Sequence, residues 1–339
     1  MQAFALIRPQ TLAAARTRVQ ESPQDRVLRA GGVDLFDRMK EGLERPAELI
    51  ELASLRGEIG DRLRGFTSSA AGLEIGALVT LAQLAQLADL TQHPELAGFL
   101  ALRQAAGSAA TPGIRNLATL GGNLLQRPRC WYYRDADLVC LKKGGKTCFA
   151  VSGENKYHAI LGGGPSFIVH PSTLASALLA FDASVELAGD TERTIPLSEL
   201  FVGPRTDPRR EHSLAPGEVL VRVKLPPAPA DRRSAYAVVK EKQSHDWPLA
   251  EAVVSLSLEA GVMKSVRVVL GHVAPIPWRS REAEAALEGQ KPDAALFARA
   301  AAAALADAKP LKHNAYKIPL AQGVLRDALH RATDLAMPT

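Results

Sequence analysis

Two glycine pairs constrain this chain more than any other feature. Gly31 and Gly32 stand in "RAGGVDLFDRMK", after a strand-like run and before a helix-like one; Gly121 and Gly122 hold a similar place in "ATLGGNLLQ". Glycine pairs open backbone conformations closed to other residues and let a main chain come close to a ligand. Exposed N–H groups at such a turn can cradle a pyrophosphate, although two tight turns without a ligand satisfy the same pattern. Neither turn carries G-x-G-x-x-G or the G-K-[ST] of a P-loop, which disfavours a Rossmann NAD site and a Walker NTPase.

The surrounding periodicity is α/β. In residues 1–60, "AFALIRP", "RVLRAGG" and "AELIEL" read as strands and "TLAAARTRVQES" and "VDLFDRMKEGL" as helices, a small βαβαβ unit. Residues 61–118 form a second α/β piece, with Thr80 capping a helix in "LEIGALVTLAQLAQLADL" and another helix in "PELAGFLALRQAA". "SFIVHPSTLASALLAFDASVELAG" reads as strand, capped helix, strand, and "EVLVRVKLPP" as a strand closed by prolines. "PPAPADRRS" is the best linker. Three strands, "AYAVVKEK", "AEAVVSLSLEA" and "MKSVRVVLGHVA", follow it, then alanine-rich helices from about Glu282, an α+β arrangement.

With 339 residues, 47% hydrophobic and 23% charged, the chain suits a globular protein of two or three domains. No apolar run approaches the ~20 residues of a membrane-spanning helix. The N-terminus "MQAFALIRPQTL" lacks the parts of a secretion signal, so a cytoplasmic location is expected, or a periplasmic one if an exported partner carries the chain. The net charge of +5 is spread over 41 Lys and Arg among 36 Asp and Glu, and aromatics are only 5%, so no nucleic-acid platform is expected.

All three cysteines fall in one stretch, residues 127–165, that has no clear period. Their spacing is Cys130-x9-Cys140-x7-Cys148, without the CxxC of a zinc ribbon. Three thiols cannot all pair as disulfides, and their clustering fits metal ligation or redox chemistry. Lys142, Lys143 and Lys146 suit an anionic centre there, or a solvated face. His245 and Asp246 in "SHDW" suit acid–base work or a plain turn, and His170, just before a helix start, reads as structural.

The paired motifs "AGGVDL" and "IRNLATLGGN", with "GLEIGALVTLAQL", "HPSTLASALLAFDASVEL", "LAPGEVLVRVKLP" and "KEKQSHDWPLAEAVVSL" in order, resemble the FAD-binding subunit of the molybdenum hydroxylases over nearly the whole chain. This is the xanthine dehydrogenase, aldehyde oxidase and carbon monoxide dehydrogenase family. The resemblance implies an α+β protein with a two-subdomain FAD-binding domain of the vanillyl-alcohol oxidase type over 1–226, divided into about 1–58 and 59–226. A cysteine-containing insert would occupy 127–165, a linker 227–233, and a C-terminal α+β domain with a three-stranded sheet and helices 234–339. By position, Ala30, Gly31, Gly32, Val33, Asp34 and Leu35 would line the first FAD loop, and Thr119, Gly121, Gly122 and Asn123 the second. The backbone N–H groups of both loops and the Thr119 hydroxyl would face diphosphate oxygens. Leu220 and Lys240 would lie near the isoalloxazine, and Thr173 stands where the family usually has an aspartate on the FAD ribose.

The insert itself resembles the iron–sulfur loop of the FAD subunits of 4-hydroxybenzoyl-CoA reductase and the periplasmic aldehyde oxidase. The resemblance implies a cluster, [4Fe–4S], on Cys130, Cys140 and Cys148. The fourth iron would fall to Ser166, Tyr157, His158, Asp137 or water, or be lost to leave a three-iron form. The implied function is electron transfer inside a complex: a molybdenum-cofactor large subunit, a [2Fe–2S] small subunit, and NAD, oxygen or another acceptor. A self-sufficient flavin oxidase of the same fold and a non-enzymatic metal- or nucleic-acid-binding adaptor are the competing readings.

Overall fold

The computed structural model describes residues 1–86, 98–242 and 246–336. Three sheets organise it. The first is parallel, in the order β1 (Ala5–Ile7), β3 (Glu48–Glu51), β2 (Arg26–Arg29). Helix Leu12–Glu21, capped by the Thr11 hydroxyl on the Ala14 N–H, and helix Val33–Lys40 supply the crossovers that parallel pairing requires.

The second sheet is antiparallel, in the order β4 (Phe66–Ser69), β5 (Gly72–Gly76), β8 (Val219–Leu225), β6 (Ser184–Ala188), β7 (Glu192–Pro196). Helix Thr173–Ala180, which leads into β6, is wholly buried and capped by Ser172 Oγ on the Ala175 N–H at 3.1 Å. "SFIV" before that helix is not a ladder strand. Its Phe167 carbonyl accepts from the Ala159 N–H and the His170 N–H donates to the Ala274 carbonyl, so its polar groups are met one at a time.

The third sheet has four strands where three were expected: β9 (Arg233–Lys240), β10 (Pro248–Glu259), β11 (Val262–Gly271) and the two-residue β12 (Trp278–Arg279) at its edge. Both of its faces are covered. Val253, Val269 and Tyr236 enter the core shared with the second sheet, while Ala252, Val254 and Val268 face helices Arg281–Leu287, Ala294–Ala304 and Lys317–Thr333. A strand buried on both sides reads as a continuous apolar run, which is the character of "AEAVVSLSL".

Candidate flavin site

The first glycine turn joins β2 to helix Val33–Lys40. Gly32 sits at φ +77°, where a side chain is disfavoured, and a Cβ on Gly31 would collide with the Leu117 carbonyl oxygen. Among the described residues the N–H groups of Gly31 to Leu35 have no backbone or side-chain acceptor, so they remain available at the positive end of the helix dipole.

The second turn differs from expectation. It follows a helix, Pro112–Leu117, started by Pro112 and the Thr111 hydroxyl, and the glycines lie inside the five-residue helix Leu120–Leu124. Its N–H groups are already engaged: Leu120 to the Val79 carbonyl, Gly121 to the Ala77 carbonyl at 2.9 Å, Asn123 to the Thr119 carbonyl, Gly122 to Thr119 Oγ1 at 3.2 Å. What this turn can still offer a ligand is the Thr119 O–H and the Asn123 amide N–H, the Asn123 Oδ1 being held by Ser172 Oγ at 2.6 Å.

Both turns open on one cavity of about 430 Å³. Ala30, Gly31, Gly32, Val33, Asp34 and Leu35 line one wall; Thr119, Gly121, Gly122 and Asn123 line another, with Thr173 beside them. Leu220 of β8 and Lys240 at the end of β9 complete the set expected from the sequence, so all of those residues meet at one hollow. Lys240 Nζ donates to the Ser108 carbonyl at 2.6 Å. Burial pushes its ammonium below the usual lysine range, while Glu251 and Asp246 pull it back up. Residues the sequence reading did not single out also line the cavity, among them Thr111, Ile114, Arg115 and Trp247. Ile114 stands seven residues ahead of Gly121, in the preceding helix, and is exposed.

Asp34 does more than line the wall. Its carboxylate is met by Arg38 Nε at 3.0 Å, Arg129 Nη2 at 3.0 Å, Arg134 Nη2 at 2.6 Å and the Arg127 N–H at 3.0 Å. Burial works to raise its pKa, but the three guanidiniums together hold it below the usual range. Asp34 therefore ties the first glycine turn to the start of the cysteine insert. Arg129 also lies over the Trp247 ring, 4.6 Å from its centre, and both line the cavity.

In the insert all three cysteines are free thiols. Cys130 accepts the Tyr132 and Tyr133 N–H groups, and its Sγ is 3.2 Å from His158 Nε2. Burial raises that thiol to about 11, and the nearby Cys148 and Cys140 add to the rise. Among the described residues no group of three or more His, Cys, Asp or Glu side chains is arranged to hold a metal ion. Of the proposed fourth ligands, His158 is nearest to a cysteine; Ser166 is buried, Asp137 is exposed, and the Tyr157 hydroxyl donates to Glu241 at 3.0 Å. Lys142 is not a solvated lysine, for it is buried against Glu211 at 2.5 Å and the Pro208 carbonyl at 2.8 Å. His170 is structural as expected: buried, with Nδ1 accepting the Ser172 N–H at 3.3 Å. Asp246 caps its own turn through the Trp247 N–H at 2.8 Å, and His245 lies outside the described residues.

Two family models cover nearly the whole chain: the FAD binding domain in molybdopterin dehydrogenase over residues 2–228, and the CO dehydrogenase flavoprotein C-terminal domain over 234–332. The chain belongs to the FAD-binding subunits of the molybdenum hydroxylases. It is 35% identical to the aldehyde oxidoreductase FAD-binding subunit PaoB of Escherichia coli K12, over 98% of this chain and 99% of that protein. It is 26% identical to the carbon monoxide dehydrogenase medium chain of Afipia carboxidovorans, over 97% and 96%. Among solved structures it shares the fold of reconstituted CO dehydrogenase from Oligotropha carboxidovorans, with a TM-score of 0.75 at 24% identity over 98% and 99% of the two chains. Members of this family are flavoprotein components of oxidoreductases. No helix among the described residues is long and apolar enough to cross a membrane.

Proposed function

We propose that this chain binds one FAD non-covalently in the cavity between its glycine turns and works as the electron-transfer subunit of a heteromeric aldehyde or xanthine dehydrogenase-type complex. The observation that carries the reading is the convergence of both turns, Thr173, Leu220 and Lys240 on a single cavity in a chain of this family. The free N–H groups of Gly31 to Leu35 bind the diphosphate, with the Thr119 hydroxyl and Asn123 amide opposite. Leu220 packs against the isoalloxazine, and the Lys240 cation favours negative charge on that ring. FAD, when bound, supplies one-electron uptake and two-electron delivery, chemistry no side chain offers. The [2Fe–2S] subunit delivers the electrons, a molybdenum-cofactor subunit generates them, and NAD, oxygen or another acceptor removes them. A visible spectrum of the pure protein tests the reading: flavin bands near one equivalent per chain are expected, and a flavin-free protein that takes up no added FAD refutes it.

We propose also that Cys130, Cys140 and Cys148 carry an iron–sulfur cluster. Support comes from the gathering of every cysteine in one insert and from the two N–H groups that Cys130 accepts. As they stand, the thiols do not close around a metal ion with other ligands among the described residues. Iron and sulfide analysis of anaerobically purified protein decides: FAD without iron or sulfide makes the insert purely structural.

A further inference from the structure

On the third sheet, one face presents Tyr236, Val238 and Lys240 from β9 alongside Glu251 and Val253 from β10, by the two-residue period of the strands. This is the face whose Lys240 lines the flavin cavity. Glu251 is fully buried on it, an uncommon place for a carboxylate. Its cross-strand partner is Gly271, and a Cβ there would overlap Glu251 Oε1. The missing side chain on β11 therefore makes the room that the carboxylate occupies.

The hydrogen bonds around Glu251 all run toward it. Ser108 Oγ donates to the Tyr236 hydroxyl at 3.0 Å, and that hydroxyl donates to Glu251 Oε2 at 3.1 Å. Burial, then Glu251 itself, push the Tyr236 phenol well above its ordinary range, so Tyr236 keeps its proton. The second oxygen, Oε1, is buried and has no hydrogen-bond partner among the described residues. On the other side His272 Nε2 lies 3.5 Å from Oε2, also buried and without a hydrogen bond. His272 is held in the left-handed region at φ +59°, and Lys317 Nζ grips its carbonyl at 2.6 Å. It lines a second, smaller cavity of about 170 Å³ whose wall includes the exposed Tyr157 and Trp247.

The charged and titratable groups that bear on this pair come from several elements: Asp246 and Arg115 act on Lys240, and Arg129, Cys130, Tyr157, His158, Glu241 and Asp246 share the smaller cavity with His272. Tyr236 and Lys240 come from β9, His272 from the end of β11 and Lys317 from the helix packed on β10. His170 stands behind His272, and helix Thr173–Ala180 carries no titratable side chain. Lys240 is the group common to both sites: its Nζ donates to the carbonyl of Ser108, the residue whose hydroxyl begins the hydrogen-bonded chain through Tyr236 to Glu251.

We infer that Glu251 is a proton-accepting residue coupled to reduction of the flavin, loaded through His272 from the smaller cavity. The inference rests on the FAD reading above. Two electrons come from a one-electron iron–sulfur donor, and one proton goes to the flavin ring, leaving one added negative charge near Lys240. Glu251, whose carboxylate until then shared Lys240 as the local counter-charge, binds a second proton from solvent and becomes a carboxylic acid. One O–H bond forms, nothing on the protein is oxidised, and the proton returns to solvent when the acceptor takes the electrons. Repulsion between two negative charges in a buried, weakly screened site drives the uptake.

The test is the flavin midpoint potential against pH, by spectroelectrochemistry on the purified flavoprotein and its Glu251→Gln variant. The wild type should show a slope of two protons per two electrons, and the variant half of it. Should the variant not fold, reduced-minus-oxidised infrared spectra of the wild type give a second readout, in which a protonated carboxyl band should appear on reduction. An equal slope in a flavin-loaded variant, or no such band in the wild type, overturns the inference alone. Protein that binds no flavin overturns the parent reading, and the inference falls with it.

Discussion

Asp34 shows what one residue does in this molecule. Lining the flavin cavity, it spends its carboxylate on Arg38, Arg129 and Arg134, which join the glycine turn to the insert. Asp34→Asn leaves three guanidiniums facing an uncharged amide, and breaking such a buried cluster should cost about 3 kcal/mol in urea unfolding. Because the folded carboxyl titrates below its usual value, this stabilisation is in place above about pH 4 and is lost as pH falls through the lowered value. His170 acts at a higher pH. Burial first, then His272 and His212, lower it to about 3, and its Nδ1 must stay unprotonated to accept the Ser172 N–H. Unfolding releases it to titrate near 6.5, so its contribution is full above that pH and falls by about 1.4 kcal/mol per unit on acidification toward 3. Urea titrations from pH 7 to about 5 should show a His170→Gln variant with a shallower slope by that amount.

At the scale of elements, the two glycine turns do different work. The first ends a strand, starts a helix of eight residues and leaves its N–H groups without an acceptor among the described residues. The second is a short helix whose N–H groups are spent on Ala77, Val79 and Thr119, so it braces the cavity and offers side chains. Gly31→Val should therefore act through geometry: its Cβ meets the Leu117 carbonyl, the turn must shift, and flavin bands in the purified protein should fall at least tenfold. Retention of full FAD in that variant would show that the first turn does not hold the diphosphate.

The whole molecule places the cavity where elements of all three sheets meet: the β2 turn, Leu220 of β8 and Lys240 of β9. On the reading proposed above, the flavin is filled with electrons from a partner subunit. The purified, flavin-loaded chain should oxidise neither aldehydes nor purines at an enzyme-like rate, while still accepting electrons from a chemical reductant. Turnover by the chain alone would make it a self-sufficient oxidase.

Read alone, the sequence determined what local chemistry controls. The βαβαβ start, the capped helix after Ser172, the apolar strands after the linker and the first glycine turn all follow from period, caps and backbone freedom between neighbours in the chain. The family motifs carried the cavity's lining residues by position. Tertiary structure decided which donors stay free. The second turn's N–H groups are lost to carbonyls of Ala77 and Val79, more than forty residues away in sequence, and no local pattern announces that. The same holds for Lys142, whose partner Glu211 is distant in the chain, and for β12, a two-residue strand with no period to detect. Glu251 is the clearest case. In "PLAEAVVSL" it occupies the polar place of a strand and would be assigned to solvent, and only the packing of β9, β11 and the flavin wall around it makes it buried.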